Sequence, residues 1–597
     1  MSTGTLTTAP PDTGGRARRR LPSRDSDRFV YVLALPVIAI LVFFVLIPML
    51  ATARTSAGGA GFAANYRALL SGSGAHALLL SIGTSLASVL FCGLLGTLLA
   101  VLLNRFEFPG RRALSVFAVL PMALPPLIGA VSFVLLYSET GIVPRALHAV
   151  TGLNPGAVSV GGVAGVVLVH AFTMYPYFYL SVSASLAGQD VSLEEAATNL
   201  GAGRFRVWRT VLLPMLTPAL VSGALLTFMM SMASFTAPQL FNVQTLTMEI
   251  VSARTSGNAE LAATQATGLS VVSIVFLVGM RWYQNRRVHR SLSKGAAAVR
   301  RGPSSGPARA AAGLGSLLLT VVLMAPVLVI VLVSFSADGA WTTQILPPSY
   351  TLDNYLQIFT EPSSLLPVSV SVQASLLATA AAVLVGAAAA WVVARWKLPG
   401  RWTMDVVIML PWALPGTVIG VNLVTAFNEP GASNLGLTLV GTLWILPVAY
   451  FVRFVPLVFR STGASLDQLD PSLEEAARNL GAGPLRVLRT VTFPLVLRGV
   501  LAGALLAFVD GVGEYVASVV IYPPGVVPMS VEIYNRIYAS EFGTAAAYGG
   551  LQIVLILLVL FASRRLEEGP RRGRSRRSRR DGPAGSGSAA ASALTVG

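Results

Sequence analysis

This chain has little charge and almost none of the residues from which soluble active sites are built. Of its 597 residues, 12% are Asp, Glu, Lys or Arg. Soluble domains carry about 25%, so several such domains could not be covered by this supply. The single cysteine, Cys92, sits in an apolar stretch, which excludes disulfides and cysteine-rich metal sites. His76, His148, His170 and His289 are scattered, with no pair at ligand spacing. The only lysines are Lys294, in SLSKGAAA, and Lys397, in RWKLPG, and neither completes the G-x-x-x-x-G-K-[ST] loop that cradles nucleotide phosphates. No catalytic triad, metal cluster or carboxylate dyad at a soluble site occurs, so the chain reads as non-catalytic and without a cofactor of its own.

What is abundant is apolar. Hydrophobic residues make up 54% of the chain and mean hydropathy is +0.69, which excludes disorder and indicates an all-α integral membrane protein. Twelve runs can each cross a hydrocarbon core of roughly 30 Å as a helix: 29–50, 77–103, 113–137, 160–183, 214–236, 267–284, 312–334, 367–394, 404–427, 436–458, 494–521 and 546–563. The first follows basic residues and precedes Ala51-Thr52-Ala53, imitating a secretory signal. Its length and the 28 polar residues before it mark it instead as an uncleaved span.

A net charge of +17 and a pI near 10.6 could indicate nucleic-acid binding, but no soluble basic face exists to carry it. The charge is a topology signal. With the N-terminus inside, only Arg54, Arg67, Arg145, Arg254 and Arg536 of the 43 basic residues fall outside, as retention of Lys and Arg on the cytoplasmic face requires. The expected layout is a basic tail at 1–28, a six-span unit at 29–284, a cytoplasmic Gly/Pro/Ser-rich linker at 285–310, a second unit at 311–566 and an Arg-rich tail at 567–597. The tails read as charge anchors to anionic lipid.

The halves repeat. LEEAATNLGAGRFRVWRTVLLP from Leu193 matches LEEAARNLGAGPLRVLRTVTFP from Leu473, with 21 of 36 positions identical through Phe228 and Phe508. RFEFPGRRALSVFAVLPMALP from Arg105 matches RWKLPGRWTMDVVIMLPWALP from Arg395. A duplicated six-span unit with parallel halves accounts for both. In the first repeat, Ser192-Leu193-Glu194-Glu195 and Ser472-Leu473-Glu474-Glu475 read as S-x-x-E capping boxes. Ala196-Ala197 and Ala476-Ala477 continue a short helix, and Gly201 and Gly481 stop it in the left-handed conformation. Two near-identical copies between diverged spans point to a surface that engages a partner twice.

This loop resembles that of the permease subunits of binding-protein-dependent ATP-binding-cassette importers, whose pattern is E-A-A, three residues, G, nine residues, I-x-L-P. Here it stands as Glu195-Ala196-Ala197, Gly201, Val211, Leu213-Pro214, and again as Glu475-Ala476-Ala477, Gly481, Val491, Phe493-Pro494. Val for Ile and Phe493 for Leu keep the positions apolar. The resemblance implies that Glu194, Glu195, Ala196, Ala197 and Gly201, with Glu474, Glu475, Ala476, Ala477 and Gly481, form two coupling helices that dock on two ATPase subunits. Those partner chains would bind ATP and Mg. It further implies an extracytoplasmic substrate-binding protein and a location in the plasma (inner) membrane, both termini cytoplasmic. Fusion of two halves resembles the iron(III), thiamine and aminoethylphosphonate branch. GEYVASVVIYPP from Gly513 and MSVEIYNRIYASEFGTAAAYG from Met529 look most like the iron(III) group, with thiamine, aminoethylphosphonate or polyamine as alternative cargo. A twelve-span secondary transporter would explain the repeat but not the loops, and a receptor or scaffold lacks a soluble domain.

Ionisable residues within spans usually line a cavity or pair. Asp510 and Glu514 fall in the eleventh run at i,i+4 spacing, hence on one helix face. Two readings stand: an acidic, outward-opening face for cationic cargo or water entry, or a structural role in which both acids sit at the headgroup level or Asp510 pairs with an arginine such as Arg453. Arg453 itself reads as snorkelling from the cytoplasmic end of the tenth run, and His170 and Asn422 as packed polar groups.

Overall fold

The computed structural model describes residues 24–568 apart from 59–60, 124, 189–191, 288–305, 340, 342–343 and 396–399. The tails and most of the linker expected from the sequence therefore lie outside the described residues. Among those described, helices dominate and no strand forms beyond an isolated bridge between Ser336 and Tyr350.

Among the described residues, eleven helices are long and apolar enough to cross a membrane. In chain order they are span 1 (Tyr31–Gly58), span 2 (Gly72–Arg105), span 3 (Pro126–Thr151), span 4 (Gly162–Ala187), span 5 (Phe205–Met232), span 6 (Ala259–Gly279), span 7 (Arg309–Val333), span 8 (Pro362–Ala394), span 10 (Ile445–Asp467), span 11 (Pro484–Val512) and span 12 (Phe542–Ala562). A bent pair, Arg401–Ala413 and Gly416–Phe427, passes the same test only when its two helices are taken together and is numbered span 9. The protein is thus an all-α, multi-pass membrane protein of up to twelve spans.

Three of the expected runs change shape where proline or glycine interrupts them. The run 404–427 bends by 108° after Ala413. Pro415 holds Leu414 extended (φ −87°, ψ 138°) because its ring disfavours a helical predecessor. The run 113–137 is interrupted at the equivalent place: helix Arg111–Phe117 and a tight turn at Leu120–Ala123 end before Pro125, and the next helix starts at Pro126. The tenth helix begins at Ile445, nine residues later than expected, because left-handed Leu435, Gly436 and Gly441 fold the preceding apolar segment into turns.

Spans 1, 5 and 11 each contain a widened π-helical turn, at Val42–Leu46, Trp208–Leu212 and Leu488–Thr492. Pro48, Pro214 and Pro494 follow, and a proline ring clashes with the carbonyl four residues earlier. That carbonyl belongs to Phe44, Thr210 or Thr490, inside the widened turn in every case.

Within each half the second and fourth spans pack tightly. Gly96 meets Tyr175 so closely that a β-carbon would lie 2.5 Å from its carbonyl oxygen, and its repeat counterpart Gly386 meets Val455 at 3.1 Å. Small residues permit such backbone approach in membranes. The first span of each half crosses to the other half. Ala34, Val37 and Leu41 of span 1 share a buried cluster with Ala378 and Ala382 of span 8, while Ile330 of span 7 packs with Leu127 and Ile128 of span 3.

Candidate functional sites

The repeated loops form near-identical short helices, Ser192–Asn199 and Pro471–Asn479. Each ends in the same doubly bonded turn. Gly201 N–H donates to Thr198 O (2.9 Å) and Ala202 N–H to Ala197 O (3.0 Å), while Gly481 N–H donates to Arg478 O (2.9 Å) and Ala482 N–H to Ala477 O (3.1 Å). The glycines have φ of +82° and +86°, which a side chain would strain by about 1–2 kcal/mol. These stops match the sequence reading.

The start of the second helix does not. Ser472 lies within it, and the cap is Asp470, whose carboxylate accepts the Ser472 N–H at 2.9 Å. Pro471 has the φ of a first helical residue built in, so the helix begins earlier than an S-x-x-E box predicts. These hydrogen bonds hold the Asp470 carboxyl below its usual value. In the first copy the side chain of Ser192 lies outside the described residues.

The adjacent glutamates diverge. Glu195 and Glu475 are exposed, as are Ala196 and Ala476, with Ala197 and Ala477 half-buried. Leu200 and Leu480 are 88% and 89% exposed, and Phe205 and Leu485 project beside them. Glu194 and Glu474 turn inward instead. Glu194 pairs with Arg105 at the end of span 2; Glu474 is buried, accepts from Thr492 Oγ1 at 2.8 Å and lies 3.7 Å from Arg478. Sequence reading grouped each pair of glutamates as one surface and missed Arg105, which falls in the other repeated stretch.

A second polar site lies at the far ends of spans 10 and 11. Span 11 stops at Val512, so Glu514 is past its end and does not share a helix face with Asp510. Gly513 ends the helix, and Glu514 turns back into the protein. Its Oε2 pairs with Arg453 Nε at 2.9 Å and its Oε1 accepts the Ala517 N–H at 2.7 Å. Its main-chain oxygen accepts from Ser518 (2.9 Å) and Ser530 (2.6 Å). Side-chain exposure is 25% for Arg453 and 5% for Glu514, so Arg453 is an ion-pair partner rather than a snorkelling residue. Arg453 Nη1 is buried without a hydrogen bond and lies where a β-carbon on Gly416 would sit, 2.1 Å away. The guanidinium thus fills the notch of broken span 9.

Asp510 behaves differently. Its electrostatic neighbours are Tyr177 of the first half and Arg453 and Glu514 of the second. Its side chain is exposed rather than enclosed. In the first half, His170 is buried among hydroxyls, with Nδ1 2.9 Å from Ser88 and 3.0 Å from Ser231, and Nε2 2.9 Å from Ser234. Ser234 is the repeat counterpart of Glu514. The link from the fourth span to the end of the fifth is therefore neutral in one half and ionic in the other. Among the described residues, no three His, Cys, Asp or Glu side chains gather as metal ligands.

Comparison with known proteins places the chain in a transport family. The family model for the binding-protein-dependent transport system inner membrane component matches residues 92–290 and again 382–572. A probable ABC transporter permease protein, y4fN, of Sinorhizobium fredii is 28% identical over 559 residues, 91% of this chain and 97% of that protein. The ferric transport system permease protein FbpB of Actinobacillus pleuropneumoniae is 25% identical over 564 residues, 91% of this chain and 79% of that protein. A putative 2-aminoethylphosphonate transport system permease protein, PhnV, of Salmonella typhimurium is 30% identical over 260 residues, 43% of this chain and 94% of that protein.

Proposed function

The chain belongs to the family of binding-protein-dependent transport system inner membrane components, and from that premise we propose how this importer permease is driven and what it carries. Its two units, 29–284 and 311–566, form one path, and the helices Ser192–Asn199 and Pro471–Asn479 each receive one ATPase subunit. Glu195, Ala196, Glu475 and Ala476 face the partner, and Gly201 and Gly481 fix the angle at which Leu200 and Leu480 are presented. ATP and Mg are bound by those partner chains, and an extracytoplasmic binding protein delivers cargo. The termini and the 285–310 linker lie on the cytoplasmic side of the plasma (inner) membrane. Family membership removes the secondary-transporter alternative.

The observation that carries this reading is the duplicate surface: two capped helices with the same glycine turn, each exposing a leucine that no other element among the described residues covers. Such exposure of large apolar groups marks a protein interface. The test is co-purification with candidate ATPase subunits, repeated with Gly201→Val and Gly481→Val. Association that survives both substitutions, or full uptake with no ATPase present, refutes the docking role.

For cargo we favour iron(III), because ferric-transport relatives align along both halves. Aminoethylphosphonate is the second reading, favoured by a relative covering one half; thiamine and polyamine follow from resemblance alone. Asp510 lines the path, and Glu514, held by Arg453, braces it. With Arg453 and Glu514 paired to one another, Asp510 is the carboxyl group left to face cargo, which suits a cation.

A further inference from the structure

The sequence holds two repeated stretches per half, and docking accounts for only one. The other begins at Arg105 and again at Arg395; its first copy lies about 90 residues before the docking loop in the chain, yet meets it in the structure. Arg105 is the last residue of span 2 and pairs with Glu194 in the first turn of the docking helix. The chain then turns at Gly110, and Arg111 Nη1 donates to Leu103 O at 2.8 Å, closing the end of span 2. Between them Phe108 packs on span 7, 3.5 Å from where a β-carbon of Gly313 would sit. Docking helix, span 2 and the first span of the opposite half are thereby fastened at one point.

We propose that Arg105 and Glu194 are positioning residues that form a strut, carrying motion of the docking helix into span 2 and, through Phe108, into span 7. The inference rests on the docking role proposed above. Glu195 faces outward and Glu194 faces the bundle, so the two carboxylates divide contact from transmission. Repetition fits the same division: Arg395 repeats Arg105 at an offset of 290, and Glu474 repeats Glu194 at 280. Glu474 is again the inward, buried member of its pair. Side-chain exposures of 30% and 18% for Arg105 and Glu194 mean that solvent screens the pair, so its loss costs little stability while breaking the mechanical link.

The test uses the full chain with its ATPase subunits in lipid nanodiscs. Spin labels at Arg112→Cys and Arg401→Cys, in a Cys92→Ser background, report the distance between the two cytoplasmic turns with and without ATP and vanadate. Arg105→Gln is expected to retain the ATPase subunits but lose the ATP-induced distance shift. The exchanged pair, Arg105→Glu with Glu194→Arg, is expected to recover it. A full shift in Arg105→Gln, or release of the ATPase subunits, overturns the strut. Should Arg105→Gln fail to fold, the exchanged pair decides alone: a wild-type shift supports the strut, and its absence in a folded, ATPase-bound complex overturns it. A wild-type chain that retains no ATPase subunit would fail the docking proposal itself, a different result from any of these.

Discussion

Replacing Glu514 by Gln removes one charge from a pair that the fold has enclosed. The carboxylate is 5% exposed and touches Arg453 Nε at 2.9 Å and the Ala517 N–H at 2.7 Å. A Gln oxygen can satisfy one of these, but its amide nitrogen then faces the other donor, and Arg453 is left uncompensated. Breaking a buried pair costs about 3–5 kcal/mol, and the 25% exposure of Arg453 places this case near the lower end, ~3 kcal/mol. With ~2.1 cal/mol/K per residue of unfolding entropy over 597 residues, 1 kcal/mol corresponds to about 0.8 °C. The melting midpoint should therefore fall by ~2 °C. Arg453→Met with Glu514→Gln removes both charges and should cost well under the sum of the single changes. The assay is a double-mutant cycle in melting midpoint, four proteins in the same nanodiscs at one scan rate. Additive costs, or a Glu514→Gln protein that melts with the wild type, would refute the enclosed pair.

Gly416→Ala places a β-carbon 2.1 Å from Arg453 Nη1; overpacking of this kind costs about 1–3 kcal/mol, and combining it with Arg453→Met should recover the loss in the same melting assay. Asp510→Asn should depress ATP-driven iron(III) uptake in proteoliposomes without altering the melting midpoint, and unchanged uptake removes Asp510 from the path. Asp470 titrates below its ordinary value because it accepts the Ser472 N–H. Its folded-state carboxylate is favoured, so its cap is fully present above about pH 4 and disappears as pH falls through the lowered value. Hydrogen exchange at Ser472 should accelerate in Asp470→Ala at pH 7, while Asp470→Asn stays protected at neutral and acid pH alike. Equal exchange in all three proteins would sink the cap.

The features legible in the sequence were those set by local chemistry or by duplication. Composition was enough for the membrane class, and the doubled Glu-Ala-Ala loops for the family and for the glycine turns at Gly201 and Gly481. The breaks at Pro125 and Pro415 were hidden because membrane helices also tolerate proline; only the backbone angle of Leu414 distinguishes break from kink. One boundary error spread further. Leu435, Leu437, Val440 and Trp444 keep the segment before Ile445 apolar although it is not helical, so the tenth span was placed too early and Arg453 near its wrong end. In the actual helix Arg453 lies eight residues from Ile445, about 12 Å, level with the close of span 11. Its partner is then Glu514. Arg105 escaped because nothing local joins it to Glu194.

The crossing of the first spans has a consequence for biogenesis. Leu41 leaves the ribosome more than 300 residues before Ala378, against whose span it finally packs. At roughly 5–20 residues per second of synthesis, span 1 waits on the order of 20–70 s in lipid with its contact face unmatched. The first half therefore cannot reach its final packing while the second is still being made, and the whole bundle closes only late in translation. A ribosome stalled in the linker would leave an inserted but unlocked half, a state that membrane quality control can recognise and remove.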